Sequence, residues 1–343
     1  MSKTLKWNRR RVLQALAGGG GALAFPACDQ LDVKIRNNPD AVMFDENGKP
    51  YIPPVTSNDD FYRYQCCGSP NFKPENWVLT ILDRGEVIGT IEKSYLDTLP
   101  IREIELTLEC IGSGPRNQNI SNAVWGGWPL KDVLEDLGIA LPGATIEEFR
   151  IVGVDDYHAS LPVEKLDEEG GGIWLIWEMN HDRLPDEHGY PARLMVPGRY
   201  GVKNIKWVKE FEYYDGIWEG YWDRFDWDHE AVYRVNGYIL VPSDQSVVDA
   251  GPVHVLGTAF AGEDPVVRVE ITTDGDNWTD CVFDYAPGAN RWVLWSHYFE
   301  PKAGEYPVQI RCTTESGAKT QGTQASSAKA GYDGGQRIKL TVI

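Results

Sequence analysis

The chain has 343 residues, of which 42% are hydrophobic, so it is long enough for two domains with sizeable cores and is not a disordered protein. Its 51 acidic and 33 basic residues give a formal charge of −18, which opposes binding to nucleic acid or anionic lipid and favours basic partners. The cysteines are few and irregularly spaced. They therefore indicate neither a disulfide scaffold nor a CxxC zinc site, and the absence of CxxCH excludes covalently attached haem.

Residues 1–28 combine a basic segment with a weakly apolar, glycine-rich run, which are the parts of a secretory signal. Arg9 and Arg10 resemble the twin-arginine type of signal, which exports folded proteins. An ordinary basic N-terminus is the alternative, although residues 12–27 are too short a run to span a bilayer. Cys28 could carry a lipid anchor, with simple cleavage as the other outcome. The sequence thus predicts a periplasmic or extracytoplasmic protein, which the lipid would anchor to a membrane.

Three regions with different patterns follow the signal segment. Residues 29–60 are polar and proline-rich and predict an extended linker or arm. Residues 61–230 predict an α+β domain in which strands outnumber helices, with one helix that begins at Pro129 and ends before Gly138. Residues 231–343 predict an all-β immunoglobulin-like sandwich. The expected strands lie in 77–82, 103–110, 148–154, 172–180, 192–197, 206–213, 237–243, 252–260, 266–275, 292–299, 305–314 and 337–343.

Cysteines inside the two predicted domains raise separate questions. The alternating apolar run through Leu106 and Leu108 ends at Cys110, just before a glycine-rich turn. A strand end of this kind often carries a functional group, but a half-buried structural cysteine is the alternative. In the second domain, Cys281 and Cys312 could form a disulfide or remain two buried thiols.

Several blocks of sequence, taken in order, resemble a known family. "LTLECIGSG" is followed by "ISNAVWGGWPLKDVL", "DDYHASLP" and "DEHGYPARLMVPGRYGVKNIKWV". These blocks resemble the molybdopterin domain of the sulfite oxidase family, and "GTAFAGEDPVVRVEITTDGDNW" resembles that family's dimerisation domain. The resemblance covers nearly everything after residue 60. It implies a molybdopterin-binding catalytic domain, an immunoglobulin-like dimerisation domain and a homodimer as a candidate assembly.

The resemblance also implies a molybdenum-molybdopterin cofactor whose metal is bound through Cys110 and the pterin dithiolene. A soft thiolate suits such a centre, and a metal-bound thiol is held deprotonated. Arg193 and Lys206, with His188 as a further donor, would cradle the pterin phosphate, and Gly201 would let the backbone approach it. A solvated basic face is the alternative for these cations.

Other residues in the matching blocks receive roles from the same resemblance. Tyr157 and Ser160 would give hydrogen bonds to the pterin. Arg63 resembles the family's arginine beside the metal, which can hold an oxyanion; without the family it would pass as an ordinary surface residue. Gln65 stands where the sulfite-oxidising members have histidine, so a hydrogen-bond donor remains but a titratable group does not.

The chain departs from the family pattern in its anion pocket. Trp227 falls about where sulfite-oxidising members carry a tyrosine beside the metal. Pro115 stands where an arginine is expected, and Arg116 follows one place on. If Arg63 and Arg116 converge over the metal, a small oxyanion should bind; if Arg116 points away, a neutral or larger sulfoxide or N-oxide fits better.

These observations predict a molybdopterin-dependent oxidoreductase that transfers an oxygen atom in a two-electron reaction, with sulfite or a related small sulfur oxyanion as substrate. Reduction of sulfoxides or N-oxides on the same cofactor is the alternative, and a non-catalytic exported binding protein is a further one. The chain carries no haem or flavin motif. It should therefore pass electrons to a separate carrier such as a c-type cytochrome or a membrane redox partner.

Overall fold

A computed structural model describes residues 42–65, 70, 74–168, 172–322 and 329–343 of the chain. The predicted signal segment, including Arg9, Arg10 and Cys28, lies outside the described residues, as do Cys66 and Cys67. Within the described ranges, no helix has both the length and the apolar character needed to cross a bilayer.

The first half of the chain forms two mainly antiparallel sheets and a short N-terminal hairpin of β1 (Met43–Phe44) and β2 (Pro50–Tyr51). One sheet has the order β10-β9-β6-β5, with β11 paired to β9. Its strands are β5 (Arg102–Glu109), β6 (Ile120–Pro129), β9 (Trp174–Met179), β10 (Asp182–Arg183) and β11 (Arg193–Met195). The other has the order β4-β3-β12-β7-β8. Its strands are β3 (Val78–Asp83), β4 (Glu86–Glu92), β7 (Glu148–Gly153), β8 (His158–Pro162) and β12 (Val208–Tyr214).

Helical structure in this half is sparse. Helix α1 spans Lys93–Leu96 and helix α2 spans Leu130–Asp136. Helix α2 follows Pro129 and stops just before Gly138, which has a φ of 65°, as the sequence predicted. The 3-10 turns lie at Pro74–Asn76, Val163–Leu166, Asp186–His188, Gly201–Lys203 and Asp223–Phe225.

The second half of the chain forms a sandwich of two sheets. The first has the order β13-β15-β19-β18 and the second the order β14-β21-β20-β16-β17. Their strands are β13 (Asn236–Val241), β14 (Val247–Val248), β15 (Val253–Phe260), β16 (Val266–Thr272), β17 (Thr279–Asp280), β18 (Val282–Tyr285), β19 (Val293–Phe299), β20 (Gly304–Thr314) and β21 (Arg337–Val342). The predicted fold class, an α+β region followed by an all-β sandwich, is confirmed. The more specific immunoglobulin-like description stays a prediction.

Buried apolar side chains form a core in each half and a further cluster between the halves. The core of the first half joins its two sheets through residues such as Leu79, Phe149 and Leu175. The core of the sandwich includes Trp295 and Cys312. Cys312 and Cys281 are both free thiols, of which Cys312 is buried and Cys281 is half-buried, so the two do not form the disulfide that the sequence left open.

The cluster between the halves lies directly behind the end of β5. Ile111 and Ile120 on the first half pack there with Tyr238 and Leu256 of the sandwich. The segment before the first half also reaches this region, because the Pro54 carbonyl accepts hydrogen bonds from the side chains of both halves. The residues that follow β5 are therefore fixed by contacts from two directions.

All of the strands expected from the sequence are present, but β4, β6, β8 and β18 were not expected, nor were the two-residue strands β1, β2, β10, β14 and β17. Strand β6 contains Gly126 and Gly127, which weaken the strand pattern. A Cβ atom at Gly127 would lie 2.1 Å from the Leu175 carbonyl oxygen of the neighbouring strand β9. Close approach of β6 and β9 therefore requires glycine. The same glycine weakens the strand pattern in the sequence, which is why β6 was not predicted.

Candidate active site

A cleft opens where β5 ends, and segments distant in sequence meet there. It contains about 760 Å³ of empty space, part of it open to solvent. The lining residues are Phe61, Tyr62, Arg63, Tyr64, Gln65, Leu108, Cys110, Ile111, Asp155, Tyr157, His188, Arg193, Gly201, Val202, Asn204, Lys206, Trp222 and Trp227.

Cys110 is the first residue after β5 and lines the cleft. Its backbone is fixed, because its N–H donates to the Asn119 carbonyl at 3.0 Å and its carbonyl accepts from the Ser113 N–H at 2.8 Å. Burial raises the pKa of the Cys110 thiol to about 11. The protein by itself therefore keeps this sulfur protonated, and a bound cation would be needed to hold it as the thiolate.

Gly201 opens the 3-10 turn on the opposite wall of the cleft. A Cβ atom at this position would lie 2.8 Å from the Tyr62 hydroxyl and 3.9 Å from the Cys110 Cα. A side chain could not be placed there without displacing Tyr62. Packing against Tyr62 therefore requires glycine at this position, and the role of Gly201 as a cradle residue stays a prediction.

Arg193 lines the cleft from β11 and is almost completely buried. Its Nη1 donates to the His188 carbonyl at 3.0 Å, and its guanidinium lies 5.1 Å from the centre of the Trp125 ring. The Nε atom has no hydrogen-bond partner within the described part of the chain, and no carboxylate there pairs with this guanidinium. Burial lowers the pKa of Arg193 to about 10. A buried, incompletely satisfied cation is costly unless an anion joins it.

Lys206 and Arg63 supply two further positive charges to the cleft. The Lys206 Nζ donates to the Gln65 side-chain oxygen and, at 3.1 Å, to the Glu187 carbonyl. Arg63 forms an ion pair with the Glu187 carboxylate. Gln65 is thus a neighbour of Lys206 and lines the cleft through the same loop as Arg63.

His188 lines the cleft, but its state corrects the prediction that it is a further donor to a phosphate. Its Nε2 donates to the Asn58 carbonyl at 2.9 Å. Burial, together with the nearby charges of Arg193 and Lys206, lowers the pKa of His188 to about 3, although the hydrogen bond to the Asn58 carbonyl opposes this shift. The ring is therefore neutral, with its N–H already used, and only the acceptor nitrogen Nδ1 remains for a ligand.

Two hydroxyl groups expected to serve the pterin are also placed differently. Tyr157 lines the cleft, but its hydroxyl donates to the Val202 carbonyl at 2.7 Å. Ser160 does not line the cleft; it lies within β8, where it is buried and its Oγ is 3.4 Å from the Lys203 Nζ. Its hydroxyl therefore contacts Lys203 rather than the cleft.

Arg116 is not part of the cleft. It lies in the turn between Gly114 and Asn117, which is closed by backbone hydrogen bonds of 3.0 and 3.1 Å between those two residues. The Arg116 side chain is exposed at this turn. The sequence left open whether Arg116 joins Arg63 or points away, and the structure shows the second arrangement, because the closed turn leaves Arg116 on the surface.

Trp227 lines the cleft as expected, and it does so with a partner that the sequence reasoning missed. Its ring stacks on that of Trp222 at 4.6 Å with an interplanar angle of 18°, and both rings face the cleft. The loop that carries them is attached to the first half by His229, which contacts Glu148 at 2.5 Å and Asp223 at 2.8 Å. The stacked indoles form an aromatic wall of the cleft.

Asp155 and Asn204 are further lining residues that were not predicted. Burial raises the pKa of Asp155, and Lys206 opposes that shift. Asp155 belongs to the "DDYHASLP" block and Asn204 to the last block. These two residues could have been predicted as part of the site, because they are polar side chains within the matching blocks.

The lining residues fit an anionic cofactor with a soft metal. Cys110 offers sulfur, and Arg193 has an unsatisfied buried N–H. Across the described ranges, no three or more His, Cys, Asp and Glu side chains are grouped to hold a metal ion. A metal at Cys110 would therefore need its remaining ligands from a cofactor rather than from the protein.

Comparisons with known proteins agree with this chemistry. Residues 67–222 match the family model described as "Oxidoreductase molybdopterin binding domain". Mitochondrial sulfite oxidase of Macaca fascicularis is 29% identical over 302 residues, which cover 75% of this chain and 55% of the relative. The human enzyme of the same name is 27% identical over the same extent. The NADH nitrate reductase of Spinacia oleracea is 26% identical over 292 residues, covering 66% of this chain and 31% of the relative.

A solved structure shares the fold over most of the chain. The crystal structure of the sulfane dehydrogenase SoxCD from Paracoccus pantotrophus matches with a TM-score of 0.71 and 21% identity, covering 86% of this chain and 87% of that one. The chain spans about half the length of the mammalian relatives, at 55%. The family model, the relatives and the shared fold together lead to one conclusion: residues 67–222 match a molybdopterin-binding oxidoreductase domain, and the chain is similar to sulfite oxidases over most of its length.

Proposed function

We propose that this protein is an exported molybdenum-cofactor oxidoreductase that transfers an oxygen atom to sulfite or a related small sulfur oxyanion. The observation that carries the proposal is the convergence of Cys110 with the cations Arg63, Arg193 and Lys206 on one cleft. A sulfur ligand and several fixed positive charges in one cavity suit a metal cofactor with an anionic tail and an anionic substrate.

The cofactor would be held from two sides of the cleft. Cys110 would give a thiolate to molybdenum. A bound cation would lower the pKa of the thiol and so offset the effect of burial, which otherwise keeps the thiol protonated. Arg193 and Lys206 would hold the phosphate, with the backbone at Gly201 close by. When bound, the cofactor supplies two-electron redox chemistry at molybdenum, which no side chain of the protein can provide.

The remaining lining residues would bind and orient the substrate. Arg63 can present paired N–H groups to the oxygens of a sulfur oxyanion, leaving the sulfur atom free to react. Trp222 and Trp227 would cover the cleft and reduce the access of water. Oxidation of sulfite takes one oxygen atom from water and releases two protons and two electrons, so a product exit and an electron acceptor are both required.

A second candidate is reduction of a sulfoxide or N-oxide on the same cofactor. The position of Arg116 outside the cleft favours it, since that arrangement removes one of the expected anion-binding groups. The aromatic wall of Trp222 and Trp227 also suits a larger neutral molecule. The positive charges of the cleft favour an anionic substrate instead, and they come from Arg63, Arg193 and Lys206. The oxyanion is therefore our first choice.

The partners and location in this proposal rest on the sequence. The twin-arginine pattern supports export to the periplasm or another extracytoplasmic site, with Cys28 as the candidate lipid anchor. A separate carrier such as a c-type cytochrome or a membrane redox protein would accept the electrons. The formal charge of −18 favours a carrier with a basic surface. A homodimer through the sandwich is the candidate assembly.

Assays of the purified holoenzyme in both directions test this function. Sulfite with oxidised cytochrome c should give turnover, and sulfoxides with a reduced dye should give none. Arg63→Ala should raise the KM for sulfite by roughly tenfold or more, because it removes a charged donor from the cleft. Arg116→Ala is the matched control and should behave like the natural protein, because Arg116 is exposed outside the cleft. Turnover of sulfoxides without turnover of sulfite would transfer the assignment to the second candidate.

A further inference from the structure

The Glu187 carboxylate is paired with Arg63 at the edge of the cleft. Arg63 is one of the lining residues, whereas Glu187 lies just outside them. The Arg63 side chain is 16% exposed and that of Glu187 is 43% exposed. The Glu187 side chain can therefore move into solvent, while Arg63 remains at the cleft.

The backbone that carries Glu187 is fixed even though its side chain is exposed. Glu187 lies in the 3-10 turn Asp186–His188. The carbonyls of the three successive residues of this turn accept hydrogen bonds from the side chains of Trp207, Lys206 and Arg193, at 2.9, 3.1 and 3.0 Å. The turn thus keeps the carboxylate within reach of Arg63 in a well-defined place.

A carboxylate and a sulfur oxyanion offer the same chemistry to a guanidinium. Both present oxygen atoms that accept its paired N–H groups, and both are negatively charged. The ion pair with Glu187 already engages the Nη1 group of Arg63. An oxyanion that binds Arg63 must therefore displace the Glu187 carboxylate or share the cation with it.

We propose that Glu187 is a specificity-determining residue that competes with the substrate oxyanion for Arg63. This inference rests on the proposed function, since it takes a sulfur oxyanion as the group drawn to Arg63. The competition raises the concentration of a small anion needed to fill the cleft and does not affect a neutral ligand in the same way. Glu187 therefore sets how strongly the cleft selects by charge.

The phosphate of the cofactor has the same oxyanion chemistry and is the other group that Glu187 could oppose. The two sources are separated by working with the holoenzyme, in which the phosphate is already bound. Sulfate, an unreactive tetrahedral oxyanion, is then titrated as the probe of the remaining anion site. Cofactor content per chain is measured in the same samples.

The experiment compares Glu187→Gln with Asp186→Asn by isothermal titration calorimetry with sulfate and by steady-state kinetics with sulfite. Asp186 is the matched control, because it is the adjacent residue, is 72% exposed and pairs with Arg183 outside the cleft. Glu187→Gln should bind sulfate about fivefold more tightly, the size expected for loss of a partly exposed charge pair. Its KM for sulfite should fall by a similar factor that exceeds any change in kcat. Glu187→Ala should shift in the same direction.

Three results would overturn the inference. Unchanged sulfate affinity in Glu187→Gln, including no measurable binding to either protein, would show that this carboxylate does not limit access to Arg63. An equal gain in sulfate affinity in Asp186→Asn would show that the effect comes from general surface charge and not from competition for Arg63. A change in cofactor content alone would show that Glu187 opposes the phosphate. If sulfate binding tightens but no form of the protein oxidises sulfite, the inference holds and the proposed substrate is wrong.

Discussion

Tyr238 of the sandwich donates a hydrogen bond of 2.8 Å to Glu109, the last residue of β5 and the one immediately before Cys110. Asn236 donates to the other oxygen of the same carboxyl group at 2.9 Å. Glu109 is fully buried. The two halves of the chain are therefore joined by polar contacts at the strand end that presents Cys110 to the cleft.

Loss of the Tyr238 hydroxyl should destabilise the protein, because it leaves a buried carboxyl oxygen without its donor. We expect Tyr238→Phe to reduce the free energy of unfolding by about 1 to 3 kcal/mol. Chemical denaturation followed by tryptophan fluorescence measures this change. Tyr306→Phe is the control, since the Tyr306 hydroxyl is at an exposed turn, where it forms hydrogen bonds with the Lys302 backbone. Equal stability of the two variants would show that the contact between the halves contributes little.

His229 should make stability depend on pH. Its hydrogen bonds to Asp223 and Glu148 raise the pKa of His229 from 6.5 to about 9. A raised pKa means that the folded state holds the proton more tightly than the unfolded state. This stabilisation is complete below about pH 6.5 and is lost as the pH rises through 9.

His229→Gln should remove that part of the pH dependence. Denaturation curves at pH 6 and pH 9.5 would show the natural protein losing roughly 1 kcal/mol more than the variant, since the partly exposed group is screened by solvent. His181→Gln is the control, because His181 also contacts a carboxylate but is exposed. A variant with the same pH profile as the natural protein would contradict the role of His229 as the attachment of the tryptophan loop.

Cys110→Ser should eliminate turnover while leaving the fold intact. A hydroxyl is close in size to the thiol but is a poor ligand for a soft metal centre. Molybdenum content, activity and thermal unfolding should be measured together, and we expect the first two to fall sharply and the third to change little. Cys281→Ser is the control, because Cys281 is a thiol of the sandwich outside the cleft. Full activity in Cys110→Ser would make Cys110 merely structural.

Arg193→Ala should weaken retention of the cofactor, since the phosphate would lose a buried cationic partner. We expect the pterin retained after dialysis to fall by roughly tenfold or more, as measured by the fluorescence of the released pterin. Arg183→Ala serves for comparison, because Arg183 is an exposed arginine that pairs with Asp186. Normal pterin occupancy in Arg193→Ala would contradict the cradle assignment.

Much of the architecture could be predicted because its signals are local. Alternating apolar residues mark β5, and Pro129 and Gly138 mark the limits of α2. Strand β6 could not be predicted, because the glycine that lets it approach β9 weakens its strand pattern. Pairing between distant segments decides such cases, and a single sequence does not show it.

The candidate site, too, could be predicted only in part from the sequence. Residues in the matching blocks, such as Cys110 and Arg193, do converge on one cleft. The orientation of side chains is harder to predict, because it depends on contacts made after folding. A closed turn leaves Arg116 exposed, and the Asn58 carbonyl takes the only N–H of His188. Glu187 is adjacent to a predicted residue, but only the folded structure shows that it pairs with Arg63.

The central claim is that the protein binds a molybdenum cofactor at Cys110, and metal analysis tests it most directly. Protein purified from a molybdenum-replete host should be analysed for molybdenum by mass spectrometry and for pterin by fluorescence. The account predicts close to one molybdenum and one pterin per chain in the natural protein, with the molybdenum lost in Cys110→Ser. A fully folded and stable natural protein that contains neither metal nor pterin would contradict it and favour a non-catalytic binding protein.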